Sequence, residues 1–176
     1  TIPVDVKGKY YQKINETCVT GHDWCQDHWK SIRLNYAHAP YFPEYRDRIL
    51  AMYEACEQED SLSRINYTFL TGICEILGIK TKISWSSDYV LADGKTERLV
   101  SLVRDAGGSE YLSGPAAKDY IVDSCFEEAD IRLTYMDYSG YPEYPQLFGD
   151  FEHAVSILDL IFNCGPDAPS YMKSFR

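Results

Sequence analysis

At 176 residues, 45% of them hydrophobic, the chain can bury one good core and carries no sign of a second, so it reads as a single globular domain. Seventeen Lys and Arg against 27 Asp and Glu leave a formal charge of -10 without long runs, which disfavours nucleic acid or an anionic membrane surface as a broad partner. No apolar run reaches the roughly 18 residues of a membrane span and no charged-then-apolar leader is present, so a cytoplasmic protein with no integral membrane segment is expected.

After an extended start at 1–6 and 12–19, Asp23 with Gln26 three positions on has the form of a capping box. Cys25, Trp29, Ile32 and Tyr36 then recur at helical spacing until Pro40 ends the pattern. A second helix starts at Pro43 and carries Tyr45, Ile49, Met52, Tyr53 and Cys56 on one face. A third carries Leu62, Ile65, Phe69, Ile73 and Leu77 and closes at Gly78. From there the period changes to two: 79–85 reads as a strand ending in Ser86-Ser87-Asp88. A helix with Leu99, Leu102, Val103 and Ala106 follows, then a short strand at 109–112 ending in Ser113-Gly114. Short helices start at Pro115 and Asp123, and a third strand at 131–135 ends in Asp137. The segment YPEYPQLFGDF, 141–151, has two prolines and no period, so it is a loop, and a final helix is expected from about 152 to 163. The fold class is therefore α/β: a largely parallel βαβ sheet flanked by helices, preceded by a helical segment at about 23–78.

Six cysteines (Cys18, Cys25, Cys56, Cys74, Cys125, Cys164) lie far apart without a CxxC, and a chain of this size folds without staples, so reduced thiols are expected. Cys25 and Cys74 fall on apolar helix faces and read as core. His22, His28, His38 and His153 are scattered, so no metal site is assigned and no cofactor is called for.

Parallel strands place their carboxyl ends along one sheet edge, where open α/β proteins bind ligands. Those ends supply Ser86, Ser87 and Asp88, then Ser113 and Gly114, then Tyr138. The Ser113-Gly114-Pro115 turn either offers free N–H groups to a phosphate or carboxylate or is an N-cap with proline at the first helical position. Ser86, Ser87 and Asp88 either position a substrate hydroxyl or amine or cap the next element. His38, at a helix end, is either a general base or a partner for the helix C-terminus, and His28 beside Trp29 reads as packing. No GxSxG elbow supports a serine hydrolase, although Ser86 or Ser87 keeps that reading open. The rings of the 141–151 loop either seal the core or stack on a flat ligand.

The blocks HWKSIRLNYAHAPYF, LGIKTKISWSSDYV, RLVSLVRDAGGSEYLSGPAAKDY and YPQLFGDFEHAVSILDLIFNCG, with the opening TIPV, together resemble the WbqC-like proteins. That family is found among bacterial genes for O-antigen and other surface-polysaccharide assembly, and the resemblance spans nearly the whole chain in the same order. It implies an enzyme that transfers a glycyl or other acyl group onto an amino sugar, nucleotide-linked or lipid-linked, from an acyl or aminoacyl donor. On this reading Asp88 and His38 are the catalytic candidates. Ser86, Ser87, Ser113, Gly114, Tyr138, Tyr144, Gln146 and Phe148 are the substrate-binding ones, with Tyr144 and Phe148 stacking on the ligand and Gln146 bonding its rim. A non-catalytic sugar-binding module is the alternative. The resemblance also implies that 1–176 lacks the family's N-terminal segment and begins at the strand TIPV.

Overall fold

The three apolar patterns between 23 and 78 fold as the helices that their spacing predicts. In the computed structural model, which describes residues 1–175, they are α1 (Asp23–Tyr36), α2 (Phe42–Ala55) and α3 (Leu62–Ile76). There follow α4 (Lys95–Asp105), β1 (Glu110–Ser113), α5 (Asp123–Glu128), β2 (Arg132–Tyr135) and α6 (Ile157–Cys164). Pro43 sits in the first turn of α2, where a missing N–H removes no helix bond. Ser61 caps α3 by accepting from the Arg64 N–H at 3.5 Å. The end of α3 is a Schellman turn: Gly78 has φ 70°, and the Ile79 N–H reaches the Cys74 carbonyl at 2.8 Å. The capping box expected at Asp23 and Gln26 is absent. Asp23 is already helical, His22 holds the cap position and makes no side-chain cap bond, so Asp23 acts only through its charge at the positive helix end.

The chain packs as two compact units, one formed by 1–80 with 141–175 and the other by Thr81–Gly140. In the first, α2 is the central element and touches α1, α3 and α6. Ile49, Cys56, Ile65, Ile161 and Phe162 are fully buried there. Aromatic rings join the helices, with Phe42 5.0 Å and Tyr36 5.2 Å from Phe162 and Tyr53 4.7 Å from Phe69. The N-terminal stretch is tied down by one antiparallel bridge between Val4 and Val19. No helix among the described residues is long and apolar enough to cross a membrane.

The second unit contains the sheet, and it is smaller than expected. β1 and β2 pair in parallel, with Glu110 opposite Arg132 and Ser113 opposite Tyr135, and α5 lies in the connection between them. A salt bridge of 2.8 Å joins Arg132 to Glu110 across that register. Phe126 of α5 is fully buried and stacks on Tyr111 at 5.4 Å, beside Val100, Ala117, Ile121 and Ile131. The strand expected at 79–85 does not form, so the largely parallel sheet reduces to one βαβ unit. The residue types alternate, but of the strand face 79, 81, 83 and 85 only Ile79 and Ile83 are half-buried while Thr81 and Trp85 are exposed, and among the described residues no neighbouring strand supplies a ladder. Alternation specifies a pleat and cannot by itself supply the hydrogen-bonding partner that makes a strand. The predicted helix from Pro115 is a 3₁₀ turn, Pro115–Asp119. The final helix begins at Ile157, five residues later than its expected start near 152.

Candidate functional site

α6 begins late because the residues before it are bonded to the aromatic loop. The Gln146 side-chain amide donates to the Glu152 carbonyl at 2.9 Å and accepts from the Glu152 N–H at 2.9 Å. This two-bond clasp occupies both backbone groups of Glu152, whose own carboxylate accepts from the Ala154 N–H at 2.6 Å. Ser156 then caps α6, its hydroxyl accepting from Leu158 N–H at 3.3 Å.

The cap places Asp159 in the first turn of α6, facing inward, where it is only 7% exposed. A carboxylate taken out of water costs several kcal/mol unless donors surround it. Here Tyr144 donates its hydroxyl to Asp159 Oδ2 at 2.8 Å and Gln146 donates Nε2 to the same oxygen at 3.0 Å. The positive end of α6 adds to them. Tyr36 belongs to the same group: its hydroxyl is pushed up to about 12, first by burial and then by the charge and hydrogen bond of Asp159. Tyr144 is pushed well up by burial and by the same carboxylate. Both phenols therefore remain protonated donors at neutral pH. Cys164 is also displaced, up to about 11, chiefly by burial and then by the charges of Asp159 and Asp167, so its thiol is unreactive.

This group opens on a pocket of about 240 Å³. Its wall combines the polar Asn35, Tyr36, Gln146, Glu152 and Asp159 with the apolar Leu147, Phe148 and Val155. Phe148 presents its ring to solvent, 70% exposed, whereas Tyr144 is packed edge-on against Phe151 at 5.0 Å and Tyr171 at 5.6 Å. The two expected stacking rings therefore stand in different surroundings: Phe148 on the pocket rim, Tyr144 beneath it as the hydroxyl donor to Asp159. An apolar surface beside carboxylate and amide groups suits a ring that has a hydrophobic face and a polar edge.

The WbqC-like protein family matches over residues 1–171. The chain belongs to that family. It is similar to the uncharacterized protein Rv1507c of Mycobacterium tuberculosis, with 48% identity over 176 residues, which is all of this chain and 76% of that protein. No solved structure matches.

The remaining candidates of this WbqC-like protein fall into separate groups. Ser86, Ser87 and Asp88 form one exposed 3₁₀ turn, in which Asp88 accepts from the Trp85 N–H at 3.1 Å. Ser113 is buried at the end of β1, and Gly114 lies against Tyr138, whose hydroxyl is 4.0 Å from the point where a Cβ on Gly114 would stand. Ser113 and Gly114, at the end of β1, and Tyr138, three residues beyond β2, lie at the carboxyl ends of the two strands. His38 is exposed just beyond α1, in the first unit, whereas Asp88 belongs to the second. Asp159 was not among the sequence candidates. Its signal is a single acid inside the apolar run Ile157, Leu158, Leu160, Ile161, Phe162, at a position that a helix-start acid also explains.

Proposed function

We propose that this WbqC-like protein is a transferase of bacterial surface-polysaccharide, or O-antigen, biosynthesis, moving a glycyl or other acyl group onto the amine of a nucleotide-linked or lipid-linked amino sugar. The observation that carries this reading is the buried Asp159 carboxylate, held by Tyr144 and Gln146 at the base of a pocket rimmed by Phe148. A sugar ring laid on Phe148 has its hydroxyl and amine hydrogens directed at acceptors, with Asp159 and Glu152 available as the carboxylates. In the reaction the amine attacks the donor's carbonyl carbon, an N–C bond forms, and the donor's leaving group departs. The amine's proton passes to a base and then to the leaving group. His38, in the unit that holds the pocket, and Asp88, in the other unit, are alternative proposed bases; within that second unit the N–H groups near Ser113 and Gly114, beside Tyr138, are proposed contacts for a phosphate or developing oxyanion, and Ser86 and Ser87 are proposed hydroxyl contacts.

The test is incubation of the full-length protein with amino-sugar nucleotides and acyl or aminoacyl donors, read by mass spectrometry. A product heavier by the acyl group, lost in Asp159→Asn, supports the reading. Tight sugar binding with no product across a broad donor panel overturns it in favour of a non-catalytic sugar-binding module.

A further inference from the structure

Residues 5–18 form a loop with unusual surface chemistry. Its neck is closed by the Val4–Val19 bridge, with the Asp5 N–H donating to the Cys18 carbonyl at 3.0 Å and Thr20 N–H to the Pro3 carbonyl at 2.9 Å. Within the loop, successive turns run from Val6 to Lys9 and from Lys9 to Gln12, and a 3₁₀ turn covers Ile14–Glu16, so the loop is ordered by its own backbone bonds. Its apolar side chains nevertheless face water: Tyr10 is 91% exposed, Tyr11 92%, Ile14 77% and Val6 59%. The two tyrosine rings meet edge to face at 5.2 Å.

The charge of the loop is opposite to that of the chain. Between 5 and 18 three lysines, Lys7, Lys9 and Lys13, stand against two acids, Asp5 and Glu16, so the loop carries +1 and, with a total of -10, the remainder carries -11; all three lysines fall in the acid-free stretch 6–15. Lys9 shares its charge with Asp5 at 2.6 Å, while Lys7 and Lys13 enter no ion pair among the described residues.

We propose that this loop is a membrane-contact element that seats the protein on an anionic lipid bilayer. Tyrosine rings settle at the level of lipid headgroups, valine and isoleucine reach the acyl boundary, and lysines pair with anionic headgroups. A tip contact resolves the charge conflict, because the lysines meet the surface while the acidic remainder stays in solution, where the field falls off within a Debye length. A nucleic-acid strand suits the loop less well. Edge-to-face rings offer no pair of parallel faces between which a base would stack, and exposed valine and isoleucine have no role in holding a phosphate backbone.

The full-length protein is sedimented with vesicles of phosphatidylcholine alone and of phosphatidylcholine mixed with phosphatidylglycerol, in low and high salt. Binding is expected only to the mixed vesicles and is expected to weaken with salt. Lys7→Gln with Lys13→Gln should lower the partition coefficient more than tenfold, at about five-fold per lysine. Tyr10→Ser with Tyr11→Ser should lower it by about tenfold even at low salt. All four side chains are exposed, so the variants are expected to keep the parent's melting temperature, which is measured alongside. Equal binding to neutral vesicles overturns the proposal. So does binding that is unchanged in both variants, or a single-stranded oligonucleotide bound more tightly than the vesicles through the same four residues.

Discussion

Tyr144→Phe isolates the Asp159 hydrogen bond, because it removes one oxygen and leaves the ring against Phe151 and Tyr171. The lost bond is 2.8 Å long and is made to a carboxylate only 7% exposed. Hydrogen bonds to charged groups contribute about 1.5–3 kcal/mol, and the remaining Gln146 donor at 3.0 Å keeps the cost toward the lower end, about 2 kcal/mol. For a chain of this size that corresponds to a fall in melting temperature of about 4–8 °C. Tyr144→Ala removes the ring as well and should cost about 3–5 kcal/mol. Urea unfolding of both variants, with Asp159→Asn and the Tyr144→Phe/Asp159→Asn double variant, closes a cycle whose coupling should exceed about 1 kcal/mol. A Tyr144→Phe protein as stable as its parent, with additive effects in the double variant, would refute the claim that Tyr144 supports the carboxylate.

Phe148→Ala should weaken sugar binding by about 1–2 kcal/mol with the melting temperature unchanged, because the ring is 70% exposed; calorimetric titration and a thermal melt check both halves. Gly165→Ala should cost about 3 kcal/mol or more in denaturant unfolding, since Gly165 has φ 53° and an added Cβ would collide with the Tyr41 ring. Asp130→Gly should stabilise by about 1 kcal/mol in the same assay: Asp130, at φ 55°, holds the left-handed position of the turn that closes α5, where the Ile131 N–H reaches the Phe126 carbonyl at 3.0 Å. Raising the pH should destabilise the fold. Burial lifts Cys25 and Cys164 from 9.0 to about 11 and Tyr36 and Tyr53 from 10.0 to about 12. The unfolded chain therefore releases these protons first, and stability that is complete below pH 9 is lost between about 9 and 12, visible as a falling melting temperature.

What could be read from the sequence follows the range of the interactions. The helical period of Tyr45, Ile49, Met52 and Cys56 is a local signal, and so is the glycine that ends α3, so both were legible. The parallel pairing of 110–113 with 132–135 was legible from two short strands flanking a helix. The 79–85 segment was misread because its pattern matches a strand while a partner strand is a property of the whole fold. Asp159 was missed for a related reason: its donors Tyr144 and Gln146 are 15 and 13 residues away, across a segment without period. Gln146, expected to bond a ligand's rim, has its amide directed at Glu152 and Asp159.

The clasp between Gln146 and Glu152 also divides the labour of the loop that it closes. Both ends of the five-residue stretch 147–151 are held by Gln146 and Glu152, and of its residues Phe151 is the one that packs on Tyr144, so the geometry at Asp159 is insulated from the length of the stretch before Phe151. Loop-closure entropy grows only slowly with length, and a few added residues near Gly149 would leave the carboxylate and its donors in place. Within it Phe148 stands on an exposed rim, whereas Phe151 packs on Tyr144 and belongs to the base.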